Sequence, residues 1–144
     1  MSTLLLNTLT GKTSAGSIVV TGEGGSNTTN MQQGLAKAWT NFNGTGTIAH
    51  RDSFNCGSLT DQGTGQYDIN FTSNMASANH CPTGNSNAYN GTNNFNSSAF
   101  CPVGTSHSSM TGNTASNTSL GSFESGGSYQ DAELNFVSVD GDLA

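Results

Sequence analysis

The sequence predicts an all-β protein, an antiparallel β-sandwich or jelly-roll-like unit with an extended N-terminal arm. Three observations carry that expectation. Gly, Ser, Thr and Asn make up about half of the 144 residues, whereas the strong helix formers Leu, Lys, Glu, Arg and Gln are thin. Aromatic residues recur through most of the chain, several of them alternating with polar neighbours. Clusters rich in Gly and Asn separate these stretches at short intervals, as hairpins require. Charged residues are only 8% of the chain, unlike disordered polymers, which combine low hydrophobicity with high charge.

The length fits one domain plus an arm, divided as 1–33 and 34–144. In the arm, the apolar stretches Leu4, Leu5, Leu6 and Ile18, Val19, Val20 are too short to bury themselves, so they are expected to pack on a neighbouring subunit. A polar tract from Gly22 to Asn30 follows, then Met31 to Ala38, where one or two helical turns are compatible with the residues. The period then changes to two. Ala38, Thr40 and Phe42 alternate with Trp39 and Asn41 up to a turn at Asn43-Gly44-Thr45-Gly46.

A β-hairpin is expected next, from a strand Ser53–Thr60, a turn within Asp61–Gly65 and a strand Gln66–Thr72. Tyr67, Ile69 and Phe71 should face the core and Asp68 and Asn70 the water. Beyond a polar middle segment (74–98), further strands are expected over 99–103, 114–123 and 129–139, with Leu134 and Phe136 alternating with Glu133 and Asn135. The expected core is therefore Trp39, Phe42, Phe54, Tyr67, Ile69, Phe71, Leu134 and Phe136.

Composition also restricts partners. The net charge is −6, and Lys12, Lys37 and Arg51 are the only strong cations, so nucleic acid and anionic membrane surfaces are poor partners. No apolar run is long enough to span a bilayer, and Met1 to Leu6 lacks the features of a signal peptide, so a product made in a cytoplasm without membrane insertion is expected. Three cysteines make an odd number for a disulfide framework. Either reduced, buried thiols or one bridge, between Cys81 and Cys101 in their similar Cys-Pro-x-Gly settings, satisfies the sequence.

Four constellations could carry chemistry. Thr10-Gly11-Lys12-Thr13 resembles the end of a phosphate-binding loop, but Leu6 stands where a glycine is required, and a turn explains the residues. His80, Cys81, Cys101 and His107 are zinc-ligand types without a C-x-x-C pair, which favours a histidine beside a small thiol over a metal. His50-Arg51-Asp52 places His50 and Asp52 on one face of a strand, with neither a nucleophile nor a pocket indicated. Asn27, Asn43, Asn70, Asn90, Asn96 and Asn117 begin Asn-x-Ser/Thr triplets, which arise by chance in such a composition. The expectation is a protein without catalytic residues, metal or cofactor.

Residues 33 to 79 carry a more specific signal: the opening Lys37-Ala38-Trp39-Thr40-Asn41-Phe42-Asn43-Gly44-Thr45-Gly46-Thr47, then Arg51-Asp52-Ser53-Phe54-Asn55, the turn Asp61-Gln62-Gly63-Thr64-Gly65, and the aromatic-alternating strand after it. This string resembles a domain found in tail-fibre-like proteins of marine cyanophages and related tailed phages. The resemblance implies a virion structural protein, commonly a homotrimer, that assembles with other virion proteins and contacts host-surface carbohydrate. The alternative from a different class is a capsid decoration or head-fibre protein that stabilises the shell.

Overall fold

The computed structural model describes residues 3–12, 17–89, 95–102, 112–123 and 127–144. They fall into two units, 1–35 and 36–144, and the described regular elements are all strands and turns.

The first unit contains a hairpin where an extended arm was expected. Strands β1 (Val19–Thr21) and β2 (Thr28–Asn30) pair antiparallel, with Val20 opposite Thr29. The Gly-rich connection suits this closure: Gly25 takes φ +71° and the Gly22 amide donates to the Asn27 carbonyl at 2.9 Å. A single turn follows at 31–34. Asn30 caps it, its Oδ1 accepting from the amides of Gln32 (2.8 Å) and Gln33 (3.3 Å). The helical tolerance of Met31–Ala38 thus yields one turn, and Gly34 ends it.

The second unit is an eight-stranded antiparallel ladder in the order β4-β3-β10-β7-β8-β9-β6-β5. Its first half, called sheet one, comprises β4 (Ala49–Phe54), β3 (Ala38–Asn43), β10 (Leu134–Asp140) and β7 (Cys81–Tyr89). Sheet two comprises β8 (Phe95–Pro102), β9 (Asn117–Phe123), β6 (Gln66–Phe71) and β5 (Cys56–Gly63). Strand β8 joins the halves: its first part pairs with β7 and its second with β9. Strand β6 lies beside β9 while β7, β8 and β9 run consecutively, a Greek-key arrangement.

The two halves meet through one set of alternating residues. Ala38 and Phe42 of β3 and Val137 and Val139 of β10 pack with Tyr67, Ile69 and Phe71 of β6 and Leu120 of β9, with Met75 closing one end. The rings of Phe42 and Tyr67 meet edge to face at 5.2 Å. Tyr67 also has a polar function: its hydroxyl lies 3.0 Å from the Gly44 carbonyl and 3.2 Å from Asp131 Oδ1, which in turn accepts from the Gly65 amide. Three turns are thereby held at one end of the core. A Cβ on Gly44 would lie 2.4 Å from the Tyr67 hydroxyl, so glycine is needed there for the approach.

Phe42, Tyr67, Ile69 and Phe71 are in the core as expected. Trp39, Phe54, Leu134 and Phe136 are not, and the expectation is corrected. Trp39 is 38% exposed, Phe54 52% and Phe136 46%, and Leu134 is half-buried. The cause is parity: side chains of a strand alternate faces, so Phe42 inward places Trp39 outward. Strand β10 is apolar on both faces, and the inward set proves to be Asn135, Val137 and Val139. Asn135 is tolerated there because its amide donates to the carbonyls of Ala132 (2.8 Å) and Phe42 (3.5 Å).

The expected continuous strand Ser53–Thr60 is also corrected. It breaks at Asn55, where the chain leaves sheet one for sheet two. Asn55 takes φ +55°, the only positive φ of a non-glycine among the described residues. Its side chain donates to the carbonyls of Lys37 (3.0 Å) and Ser73 (3.1 Å) and accepts from the Ser73 amide (2.7 Å). Asparagine is among the few L-residues that visit this region readily, and the corner uses its whole amide. Asn55→Ala is expected to destabilise the sandwich in urea unfolding by about 2–3 kcal/mol, from the lost hydrogen bonds and the backbone strain. Asn55→Gly, which keeps the bonds lost but removes the strain, should lose less; equal losses would contradict the corner.

Candidate functional surfaces

The outer face of sheet one follows from the register. Trp39 stands opposite Phe54 on β4 and opposite Ser138 on β10. One step along, Asn41 stands opposite Asp52 and opposite Phe136, and Phe136 is opposite Asn85 on β7. Three aromatic side chains therefore share one face with Asn, Asp and Ser at the intervening positions. Directly opposed residues have Cβ atoms about 5 Å apart and diagonal ones about 7–8 Å, so Trp39 neighbours both Phe54 and Phe136. Each aromatic was visible in the sequence; the face they form became visible only once the inward parity of β3 and β10 was known.

The candidate His50-Arg51-Asp52 is not brought together as expected. The β3–β4 register shifts between Asn41 and Phe42, so Asp52 faces Asn41, His50 faces Phe42, and Arg51 is the extra residue of a bulge. The bulge breaks the alternation that would have put His50 and Asp52 on one face. Arg51 instead donates to the carbonyls of Phe42 and Glu133 and pairs with the Glu133 carboxylate at 3.5 Å. His50 Nδ1 is 2.7 Å from the Thr40 hydroxyl, which is only 2% exposed. A hydroxyl closed to substrate makes this a packing contact.

Burial lowers the pKa of His50 below its ordinary value of 6.5. Between the folded and unfolded values, the unfolded chain binds a proton that the folded one refuses, so the His50 contribution to stability is present above 6.5 and is lost as pH falls through that window. Chemical denaturation of the parent and His50→Gln from pH 8 to 5 should show a steeper loss in the parent. Parallel profiles would contradict it.

The outer face of sheet two is polar and partly covered. Asp68, expected in water, is buried: it accepts from the Ser119 hydroxyl and from Gln62 Nε2 (2.6 Å), while Ser119 also lies 3.1 Å from the Gly112 carbonyl. Asn70 is half-buried and donates to Ser58 (3.1 Å) and Thr60 (3.0 Å) on the adjoining strand. This ladder of short polar side chains hydrogen-bonds within itself, which offsets the cost of burying Asp68.

Of the cysteine and histidine side chains, those of Cys56, Cys81, His50 and His80 lie within the described residues. Cys56 donates its thiol to the Trp39 carbonyl, and burial pushes its pKa up to about 11, which leaves it unreactive. Cys81 is exposed with a free thiol, against the expectation of burial. His80 packs edge to face on Phe71 at 5.3 Å. The Cys101 side chain and His107 lie outside the described residues, as do Thr13 of the phosphate-loop-like segment and Asn90. Among the described residues no group of three or more His, Cys, Asp or Glu is placed to hold a metal ion.

The first unit presents the largest apolar exposure. Leu4 is 81% exposed and Leu5 87%, with Leu6, Leu9, Val19 and Val20 all about half exposed or more, and Ile18 half-buried. A two-stranded hairpin has no core of its own to draw these side chains away from water. No protein-family model, curated protein or solved structure matches the chain.

Proposed function

We propose that the chain is a structural, non-enzymatic subunit of a tailed-phage particle, a tail-fibre-like component that assembles through its first unit and displays its sandwich outward. The exposure of Leu4, Leu5, Leu6, Val19 and Val20 carries this reading, because so much apolar surface on so small a unit calls for a partner that covers it. The resemblance of residues 33 to 79 to tail-fibre-like domains supports the particle, and the homotrimer is the assembly that resemblance implies. The sandwich itself supports a displayed role: it has a closed core, an outer face bearing aromatics and few charges.

Light scattering of the purified full chain should give the mass of a trimer. Leu5→Asp combined with Val20→Asp should reduce it to a monomer with unchanged far-UV circular dichroism, since each carboxylate would have to be desolvated at the contact. A parent chain that is monomeric at micromolar concentration would overturn the assembly. The copy number in purified particles separates the fibre from a decoration protein: hundreds of copies would favour the shell.

A further inference from the structure

We propose that the outer face of sheet one is a binding platform for an uncharged, pyranose-based glycan, with Trp39, Phe54 and Phe136 as the stacking surfaces and Asn41, Asp52 and Asn85 as hydrogen-bonding groups. This goes beyond the assembly role proposed above and rests on that reading only for the outward display of the sandwich.

Three features of the face argue for this occupant. The aromatic side chains are exposed although the same fold buries Phe42, Tyr67 and Phe71, so their position reflects strand parity and not a shortage of core. Polar residues lie between the rings, in registers that place Ser138 beside Trp39, Asn41 beside both Asp52 and Phe136, and Asn85 beside Phe136, with Leu134 flanking Phe136 on the other side. A pyranose ring has the matching character: C–H groups on its faces, attracted to the negative face of an aromatic ring, and hydroxyls around its rim that need donors and acceptors.

The alternatives fit less well. A second copy of the sheet would place Asn, Asp and Ser groups against one another or against rings, leaving polar groups desolvated without partners. Nucleic-acid bases also stack on aromatics, but that mode requires a basic groove. In the sandwich the strong cations are Lys37, which is buried, and Arg51, which is engaged by Glu133. The same scarcity of positive charge, together with Asp52 on the face, disfavours uronate, sulfated or phosphorylated glycans. The ligand class is therefore neutral.

Trp39 is the only tryptophan of the chain, so its emission reports the face directly. The full-length protein would be titrated with soluble mannan, a mixed-linkage β-glucan and a galactan, with alginate as the acidic counterpart, following Trp39 fluorescence and mobility in gels containing each polymer. At least one neutral polymer should shift the emission saturably and retard the protein, and alginate should do neither. Phe136→Ala should weaken binding about tenfold, as loss of one stacking surface does, and Trp39→Ala should abolish retardation. Thr60→Ala, on the outer face of sheet two, should bind as the parent does. No response to any of the three neutral polymers, a stronger response to alginate, or retardation undiminished in Trp39→Ala and Phe136→Ala would each overturn the platform. Because the particle reading is judged by oligomeric mass, a protein that forms the trimer and ignores all the polymers loses only the glycan inference, and one that binds as a monomer loses only the assembly.

Discussion

The edge-to-face contact between Phe42 and Tyr67, 5.2 Å apart, is the joint on which the sandwich turns. Only 32% of the residues are hydrophobic, so few large side chains are available to bridge two sheets, and these two do so near the end of β3 and the start of β6. Tyr67 adds a directional constraint that a phenylalanine could not, since its hydroxyl is shared between the Gly44 carbonyl and Asp131. Burial and the nearby Asp131 carboxylate drive its pKa far above the ordinary value, so it stays a neutral donor at any physiological pH. The joint thereby fixes not only which faces meet but which turns close the end of the core.

With Phe42 and Tyr67 inward, the parity of every neighbouring strand is decided. Val137 and Val139 follow through the β3–β10 register, and Ile69, Phe71 and Leu120 through β6 and β9. Trp39, Phe54 and Phe136 are left on the other side because they fall at the opposite phase of the same ladder. The functional proposals depend on that partition: the inner phase supplies cohesion, and the outer phase of sheet one supplies aromatic surface interleaved with amides and hydroxyls.

The all-β class was legible because composition and two-residue periodicity act locally. The hairpin of β5 and β6 was legible for the same reason, and Tyr67, Ile69 and Phe71 were correctly placed on one face. What escaped was any choice between two apolar phases, together with strand β7 inside the polar segment 74–98 and the burial of Asp68, where polar side chains give no apolar period to read. In β3 the large residues Trp39 and Phe42 differ in parity, and in β10 both phases are apolar, so only the three-dimensional pairing decides. The break at Asn55 and the bulge at Arg51 were hidden because each depends on distant carbonyls, those of Lys37 and Ser73 for the first and Phe42 and Glu133 for the second. The exposure of the leucines in the first unit, by contrast, followed from the shortness of their stretches.

The most direct test of this account compares two aromatic truncations three positions apart on one strand. In urea unfolding, Phe42→Ala should cost about 3–5 kcal/mol, because it removes the joint and leaves a cavity facing Tyr67, whereas Trp39→Ala, on the outer face, should cost about 1–2 kcal/mol. A larger loss at Trp39 than at Phe42, or equal losses, would mean that the strand presents its other face to the core and would contradict both the packing and the surface derived from it.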